Sequence, residues 1–525
     1  MLQKKLIQNY KSFLPIIILG IFSFYISFHY GFVGIMPMDN TVLYNGGYKV
    51  LNGYTPFTDY WLVTGPLLDY LNAFFFKIFG INWTAYIIHS SFFNLLITLS
   101  TYIFLNKIGL KKKLSFFYSI LYSILFYSVV GTPFVDHHST FFLILIFYLF
   151  IWGTYKNNFN LFIIIPTLFC LGFLSKQTPI SYGLIIFLPL LILNFILNKK
   201  YVKEIIVSLS KGSFIALSLL IIFFLINGIQ VNNFFIQYIL FASSIGDYRL
   251  SNFSPNYFDL IAEFKFIVFF LTLLTIILIN LIKKFKNYKK DIFLIINILA
   301  LSSILIFHQF YTSNQNYIFF LIPFLCAIFH LLQKNFPIRK NFIIIPILIC
   351  IFAVTKYHLR FNEQRKFNEL EKIDLSVAVD AEAISGDLKN LKWITHLYPE
   401  NPKEEILYIK EILNVLKQEK DKKIIITNYQ FIASVLNIHD FSPNQWYHPS
   451  VSFPLREHKY FSEYKNFFIN KIKKNKIKII YETSAGKTLN TEFVIDKSCF
   501  ERKQVGKMLT KLDLKYDCKD FNENN

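Results

Sequence analysis

Charge is what this sequence has little of. Asp, Glu, Lys and Arg make up only 17% of its 525 residues, against 54% hydrophobic and 19% aromatic, and the mean hydropathy is +0.42. That balance excludes an ordinary soluble protein, in which about a quarter of residues are charged. Carboxylates are scarcest where the chain is most apolar: nine of the 33 lie before residue 356. No small-residue cleavage site follows the first apolar run, so that run reads as a retained span and not a signal peptide. The net charge of +21 does not point to nucleic acid, because the positive residues form no stripe of the kind that tracks phosphates. Gly-x-Gly-x-x-Gly and Cys/His zinc spacings are missing from the hydrophilic C-terminal part, which removes two familiar site signatures.

What is present is a series of apolar runs from Leu14 to Val354, each close to the length that carries a helix across hydrocarbon. Spans are expected at roughly 12–34, 84–105, 114–131, 139–154, 161–175, 179–198, 205–226, 264–282, 291–308, 316–332 and 341–355, about eleven in all. Lys4, Lys5, Lys11, Lys107, the KKK at 111–113, Lys156, KKYVK at 199–203, KKFKNYKK at 283–290 and QKNFPIRK at 333–340 then share one side. The other side carries only Lys49, Lys77, Lys176, Arg249 and Lys265. Lys and Arg are retained in the cytoplasm, so the N-terminus is expected inside and the region from Lys356 outside an inner-type membrane, in the periplasm. The expected domains are a transmembrane part, 1–355, and a soluble extracytoplasmic part, 356–525.

That C-terminal part alternates helix-spaced and strand-like segments. EEILYIKEILNVLKQEK, YQFIASVLN and YKNFFINKIKKNK predict helices, and KKIIITN and IKIIYET predict strands, which together make a small α/β domain. Cys170, Cys326 and Cys350 lie in spans and serve as small apolar fillers. Cys499 and Cys518 lie in the exported tail, either as unrelated thiols or joined in a disulfide that would contribute roughly 3 kcal/mol.

The acids are one-sided. Asp39, Asp59, Asp69, Asp136, Asp247, Asp259 and Glu263 fall outside, with only Glu204 and Asp291 inside, and most membrane-part histidines share the outer side. Ionisable groups near hydrocarbon are costly, so this collection points to a polar working site at that face. The first outer loop, MPMDNTVLYNGGYKVLNGYTPFTDYWLVTGPLLDYLNAFFFKIFG, predicts two short helices lying on the membrane surface, with Asp39 and Asp59 at their entrances. The second, GTPFVDHHSTFF, sets Asp136, His137 and His138 between two apolar runs.

PMDN after the first span, GYTPFTDY, GPLLDYLNA, FKIFG, PFVDHHS and FLSKQTP, taken in order over roughly 10–330, resemble the GT-C superfamily of integral-membrane glycosyltransferases. The nearest likeness is to bacterial members related to protein O-mannosyltransferases and the lipid A aminoarabinose transferase. The resemblance implies a GT-C-like helical fold and an inverting transfer of sugar from a polyprenyl-phosphate donor to a glycan, lipid or protein acceptor. It makes Asp39 the base that takes the acceptor proton. Asp59 is an organiser or acceptor contact, or simply a turn residue. Asp136 and His137 bind a divalent ion (Mg or Mn), contact donor or acceptor, or cap their spans. Relatives carry a lysine where this chain has Thr64; Lys176 then holds the donor phosphate or snorkels at a helix end, and Arg249 is the second candidate. Tyr44, Tyr60, Gln177 and His308 are the expected sugar or acceptor contacts, with the turn HQFYTSNQNY at 308–317. The competing expectations are a transporter or flippase for a lipid-linked saccharide, and a non-catalytic assembly subunit.

Overall fold

A computed structural model describes residues 2–251, 256–312, 317–333, 344–483 and 491–521. The tip of the expected polar turn, 313–316, and most of the basic segment at 333–340 lie outside the described residues. The helices run α1 (Leu2–Tyr30), α2 (Pro37–Leu51), α3 (Leu67–Phe79), α4 (Trp83–Ile108), α5 (Lys112–Leu125), α6 (Val135–Lys156), α7 (Ile165–Ser175) and α8 (Ile180–Leu197). They continue with α9 (Val202–Asn227), α10 (Val231–Phe234), α11 (Ala242–Ser251), α12 (Tyr257–Ile282), α13 (Phe285–Thr312), α14 (Leu321–Leu332) and α15 (Ile344–Tyr357). Then come β1 (Val379–Asp380), β2 (Lys392–Trp393), α16 (Pro402–Gln418), β3 (Lys423–Ile426), α17 (Ile432–Val435), α18 (Phe461–Asn475), β4 (Ile479–Thr483), β5 (Phe500–Gly506) and β6 (Leu509–Leu514).

Among the described residues eight helical segments are long and apolar enough to cross a membrane, and two shorter apolar ones, Phe159–Ser175 and Ile318–Leu332, accompany them. This is a polytopic helical membrane protein with a small sheet region towards its C-terminus. Eight of the eleven expected spans meet that length and apolarity among the described residues, and 161–175 and 316–332 coincide with the two shorter helices. The difference lies partly at 114–131, where α5 has only 14 residues because the backbone leaves helical geometry at Phe126.

The chain divides into two compact units. A helical unit gathers Met1–Gly31, Ser90–Ile221 and Phe253–Phe367; a mixed unit gathers Phe32–His89, Ile222–Asn252 and Asn368–Asn525. The boundary expected at 355/356 thus falls within the helical unit, and the first loop shares a unit with the hydrophilic tail.

In the helical unit α6 is the inner helix. Its span is 78% buried against other protein, whereas Ile180–Leu197 is 28% buried, which is the pattern of a helix presenting most of its surface to lipid. A polar side chain on α6 therefore meets protein, not hydrocarbon.

The mixed unit is built on a four-stranded sheet in the order β3-β4-β6-β5. β3 and β4 pair in parallel, joined by a crossover that carries α17 and α18, and both are buried along their whole length, β3 although it stands at the sheet's edge. α16 starts on the Asn401 side chain, which accepts from Glu404 N, with Pro402 in the first turn. It buries Ile406, Ile409, Ile412, Leu413 and Leu416 at helical spacing. β5 and β6 form a hairpin that the sequence did not suggest: β5 reads FERKQVG and buries only Phe500 fully, so no alternation marks it. Cys499 and Cys518, at the two ends of that hairpin, form a disulfide.

α2 does not lie on a surface. Its residues Asn40 to Lys49 are buried, because α3 and the tail cover it. α3 is amphipathic in an inverted sense: Asp69 and Asn72 point inward while Phe74, Ile78 and Phe79 are about half exposed. Gly46 and Gly47 allow the two helices to meet. A Cβ on Gly46 would stand 2.0 Å from an Asp69 carboxylate oxygen, and one on Gly47 would stand 2.5 Å from Asn72 Cβ. Replacing Gly47 with Ala should force the pair apart and lower unfolding stability by about 1–3 kcal/mol. An unchanged melting temperature in detergent would show that α2 and α3 do not pack this closely.

Candidate functional site

The aspartate of GTPFVDHHSTFF is the centre of an ionic triad in the helical unit. Gly131 opens the segment at φ +80°, packed so closely on the backbone of Gly31 that a side chain has no room. Asp136 then falls in the first turn of α6, where the helix dipole favours a carboxylate. Lys176 follows the last residue of α7 and reaches both Asp136 oxygens, at 2.8 and 2.7 Å. His308, four residues from the end of α13, donates from Nε2 to Asp136 Oδ1 at 2.7 Å; in a neutral imidazole this leaves the lone pair on Nδ1. Thr312 Oγ1 donates to His308 O and Ser139 Oγ to Lys176 O, holding the two partners at their backbones. Asp136 and His308 are buried, and Lys176 at 18% exposure is the member that reaches outward. Charge-assisted contacts this short hold a buried carboxylate ionised and fix its cations.

The two histidines beside Asp136 point elsewhere. Successive helical residues diverge by about 100°, so three neighbours cannot converge on one point. His138 is held by the Tyr127 hydroxyl and packs at a tilt against Phe93. His137 sits in an aromatic cage of Phe126, Tyr127, Phe134, Tyr317 and Phe367, closest to Tyr317 at 4.4 Å between ring centres. Both Asp136 oxygens are engaged by Lys176, and Oδ1 by His308 as well, while the His137 ring packs among aromatic rings. Among the described residues no three His, Cys, Asp or Glu side chains gather around a common point. Gln177, next to Lys176, uses its backbone carbonyl to receive Ser181 at the start of α8.

The remaining candidates lie in the mixed unit. Asp39 is in the first turn of α2 and not at its cap; Met36 holds the cap position, and the Asn40 side chain accepts from its backbone N. Asp59 does not open α3, which begins at Leu67. It closes a turn by accepting from Thr55 N, and it pairs with Lys471 at 3.1 Å. Tyr44 is core, packed among Phe76, Trp83 and Tyr86. Tyr60 is buried and donates to Asp69 at 2.6 Å. Arg249 is partly exposed on α11. Thr64 Oγ1 contacts Gln445.

Residues given no role in the sequence analysis anchor this unit. Thr41, Asn45 and Lys49 form an i, i+4, i+8 stripe on α2 that meets the tail. Thr41 contacts the backbone at Asn428 and Gln430, Asn45 donates to Asp440 at 2.7 Å, and Lys49 donates to the carbonyls of Ser442 and Asn444. The Lys49 ammonium pairs with Asp440 at 3.3 Å and lies 4.7 Å from the centre of the Tyr60 ring. Burial pulls its pKa down, against the attraction of Asp440. Asp69 receives Tyr60 and the Gln445 amide, and burial pushes its pKa up to about 7 even so. A polar stripe at helical spacing was the available signal; its partners, nearly 400 positions away, were not.

No known family profile matches the chain, and no curated protein matches it.

The raised Asp69 pKa has a definite sign. Between about pH 4 and 7 the folded protein keeps a proton that the unfolded chain releases, so this group makes stability fall with rising pH, by at most about 1.4 kcal/mol per unit. Asp69→Asn, which still accepts from Tyr60, should remove that component. Melting temperatures of the two proteins should lie close together near pH 4 and separate towards pH 8, the variant melting higher. A difference constant across the range would mean that Asp69 is ionised like an ordinary carboxylate.

Proposed function

We propose that this protein is a polyprenyl-phosphate-sugar-dependent glycosyltransferase of the inner membrane, working at its outer face with the N-terminus in the cytoplasm. The observation that carries the reading is the Asp136–Lys176–His308 triad, assembled from three apolar helices at their ends. Buried ionic groups inside a membrane bundle are retained for function. Transporters tend to hold such groups at mid-membrane in broken helices. Helix ends lie at the headgroup level, where the phosphate of a lipid-linked sugar must sit while its tail stays in hydrocarbon. The ordered likeness of the first loop and of PFVDHHS to GT-C enzymes supports the same class.

In this reaction the acceptor oxygen attacks the anomeric carbon, the bond from that carbon to the phosphate oxygen breaks, and polyprenyl phosphate departs with the bonding pair. Phosphate is a competent leaving group, so its departure asks for N–H donors and positive charge more than for a strong acid. Lys176 suits that work. Two of its contacts fix the ammonium on Asp136, and its side chain remains 18% exposed. With His308 neutral the triad carries no net charge, and protonation of His308 makes it positive. The acceptor proton passes to a carboxylate, the role that the resemblance gives to Asp39.

Purified protein in detergent, given a panel of polyprenyl-phosphate sugars and acceptors, should release polyprenyl phosphate. Lys176→Gln should lower kcat by about 10²–10³, the effect of losing one transition-state donor. Asp39→Asn and Asp136→Asn, compared side by side, identify the base. Turnover of Lys176→Gln at the wild-type rate, or no donor consumed across the panel, would sink the proposal.

A further inference from the structure

The mixed unit includes a helical stretch that the triad does not use, Ile222–Asn252. From Gly212 to Gly246 the chain holds no Asp, Glu, Lys, Arg or His. The α9 span takes only the first part of that uncharged run. It ends at Asn227, Gly228 turns the backbone at φ +63°, and residues 228–230 leave the helix. Peptide groups outside a helix are not left facing hydrocarbon, so Gly228 marks the level at which α9 leaves the bilayer core. The segment that follows nevertheless keeps an apolar outer face.

α10 and the π-helical turns that continue it, Phe235–Phe241, have two sides. Phe234, Gln237, Tyr238 and Phe241 are buried. Gln237 donates to Phe57 O and receives Leu62 N on its Oε1, while Phe234 packs edge-on against Phe57. The hydroxyls of Thr55 and Thr58 donate to the carbonyls of Asn227 and Gly228. That side is therefore fixed to the first loop. The other side carries Val231, Phe235 and Leu240, which are 54%, 51% and 42% exposed. Val231 and Phe235 stand at i, i+4, and Phe235 and Leu240 at i, i+5 where the turn is π-helical, so the three share a face.

An apolar face of this kind marks an interaction surface, and what it continues says which. Leu225 and Ile226, in the last turn of α9, are more exposed still, and the span Lys199–Asn227 is only 11% buried by protein. α9 is thus sheathed in lipid up to its end, a few residues before Val231. Gln230 and Asn232, polar and exposed on either side of Val231, set the depth at the headgroups and not in the hydrocarbon.

We propose that residues 231–240 form an interfacial helix, with Val231, Phe235 and Leu240 entering the headgroup–acyl boundary of the leaflet where α9 ends. The mixed unit is then seated on lipid through this segment. This inference does not rest on the transferase reading; it requires only that α9 lies in a membrane.

The test is depth-resolved fluorescence of the full-length protein in phosphatidylcholine nanodiscs. Val231→Trp and Phe235→Trp are made separately, and the added emission is read as the difference from the parent. Leu407→Trp is the control, an exposed leucine of α16 flanked by Lys403, Lys410 and Glu411. Emission added at 231 and 235 should lie at shorter wavelength than at 407. Lipid brominated high on its acyl chains should quench it more than lipid brominated near the chain ends. The control should respond only to aqueous acrylamide. Both replaced side chains are about half exposed, so the variants should melt like the parent. Long-wavelength emission open to acrylamide at either position would put the face in water and overturn the proposal. Emission shielded from acrylamide and bromolipid alike would put protein on it, such as a second copy of this chain, and overturn it as well. Stronger quenching by the deeply brominated lipid would overturn the interfacial depth.

Discussion

A carboxylate withdrawn from water must bring its cations with it, and that requirement shapes both units of this protein. In the helical unit it falls on Asp136. Placing the charge in the first turn of the most enclosed span recruits the helix dipole, but the dipole is modest. An ammonium and an imidazole from two other helices complete the compensation. Three helices that would otherwise be joined only by dispersion contacts are thereby pinned at one level and in one register. A buried ion pair contributes little net stability relative to an apolar substitute, but removing one partner strands the other. Its presence in so apolar a bundle is therefore better explained by use than by stability.

The mixed unit meets the same requirement in a different way. Lys49 and Asp440 neutralise one another, with two backbone carbonyls and the Tyr60 ring completing the ammonium's surroundings. Asp69 has hydroxyl and amide donors and a more distant ammonium, so burial shifts it towards its neutral form. Of these two carboxylates, Asp440 has the Lys49 ammonium in contact, whereas Asp69 is met by a hydroxyl and an amide. The glycine pair in α2 is part of the same arrangement, since it brings the Asp69 helix close enough for that network to form. The segment between the first two apolar runs is consequently not an appendage of the membrane part. It is a core element of a unit whose sheet lies more than 350 residues further on.

Much of this architecture was legible residue by residue. Apolar runs gave their helices, α16 and α18 appeared where the apolar spacing placed them, and KKIIITN and IKIIYET became the parallel pair β3 and β4. These features depend on properties summed over a few consecutive residues. The failures share a cause. β5 and β6 buried too little for an alternating pattern to show, and their pairing is with each other and with β4. A polar stripe of Thr41, Asn45 and Lys49 suits a surface helix, but on α2 it faces other protein in place of water. Asp59 was set at a helix entrance, yet it closes a turn and binds a lysine of α18.

The candidate site divides along the same line. From the sequence alone came the membrane-protein class, the presence of an acid and two histidines between apolar runs, and the isolated Lys176 and His308. Composition and hydrophobic period are local quantities, and hydrocarbon acts on them directly. Only the tertiary structure decided that Asp136 takes Lys176, 40 positions away, and His308, 172 positions away, and leaves its neighbour His137 in an aromatic cage. The helical turn sends adjacent side chains in different directions, so closeness in the chain is a poor guide to closeness in charge, and helix packing chooses the partners.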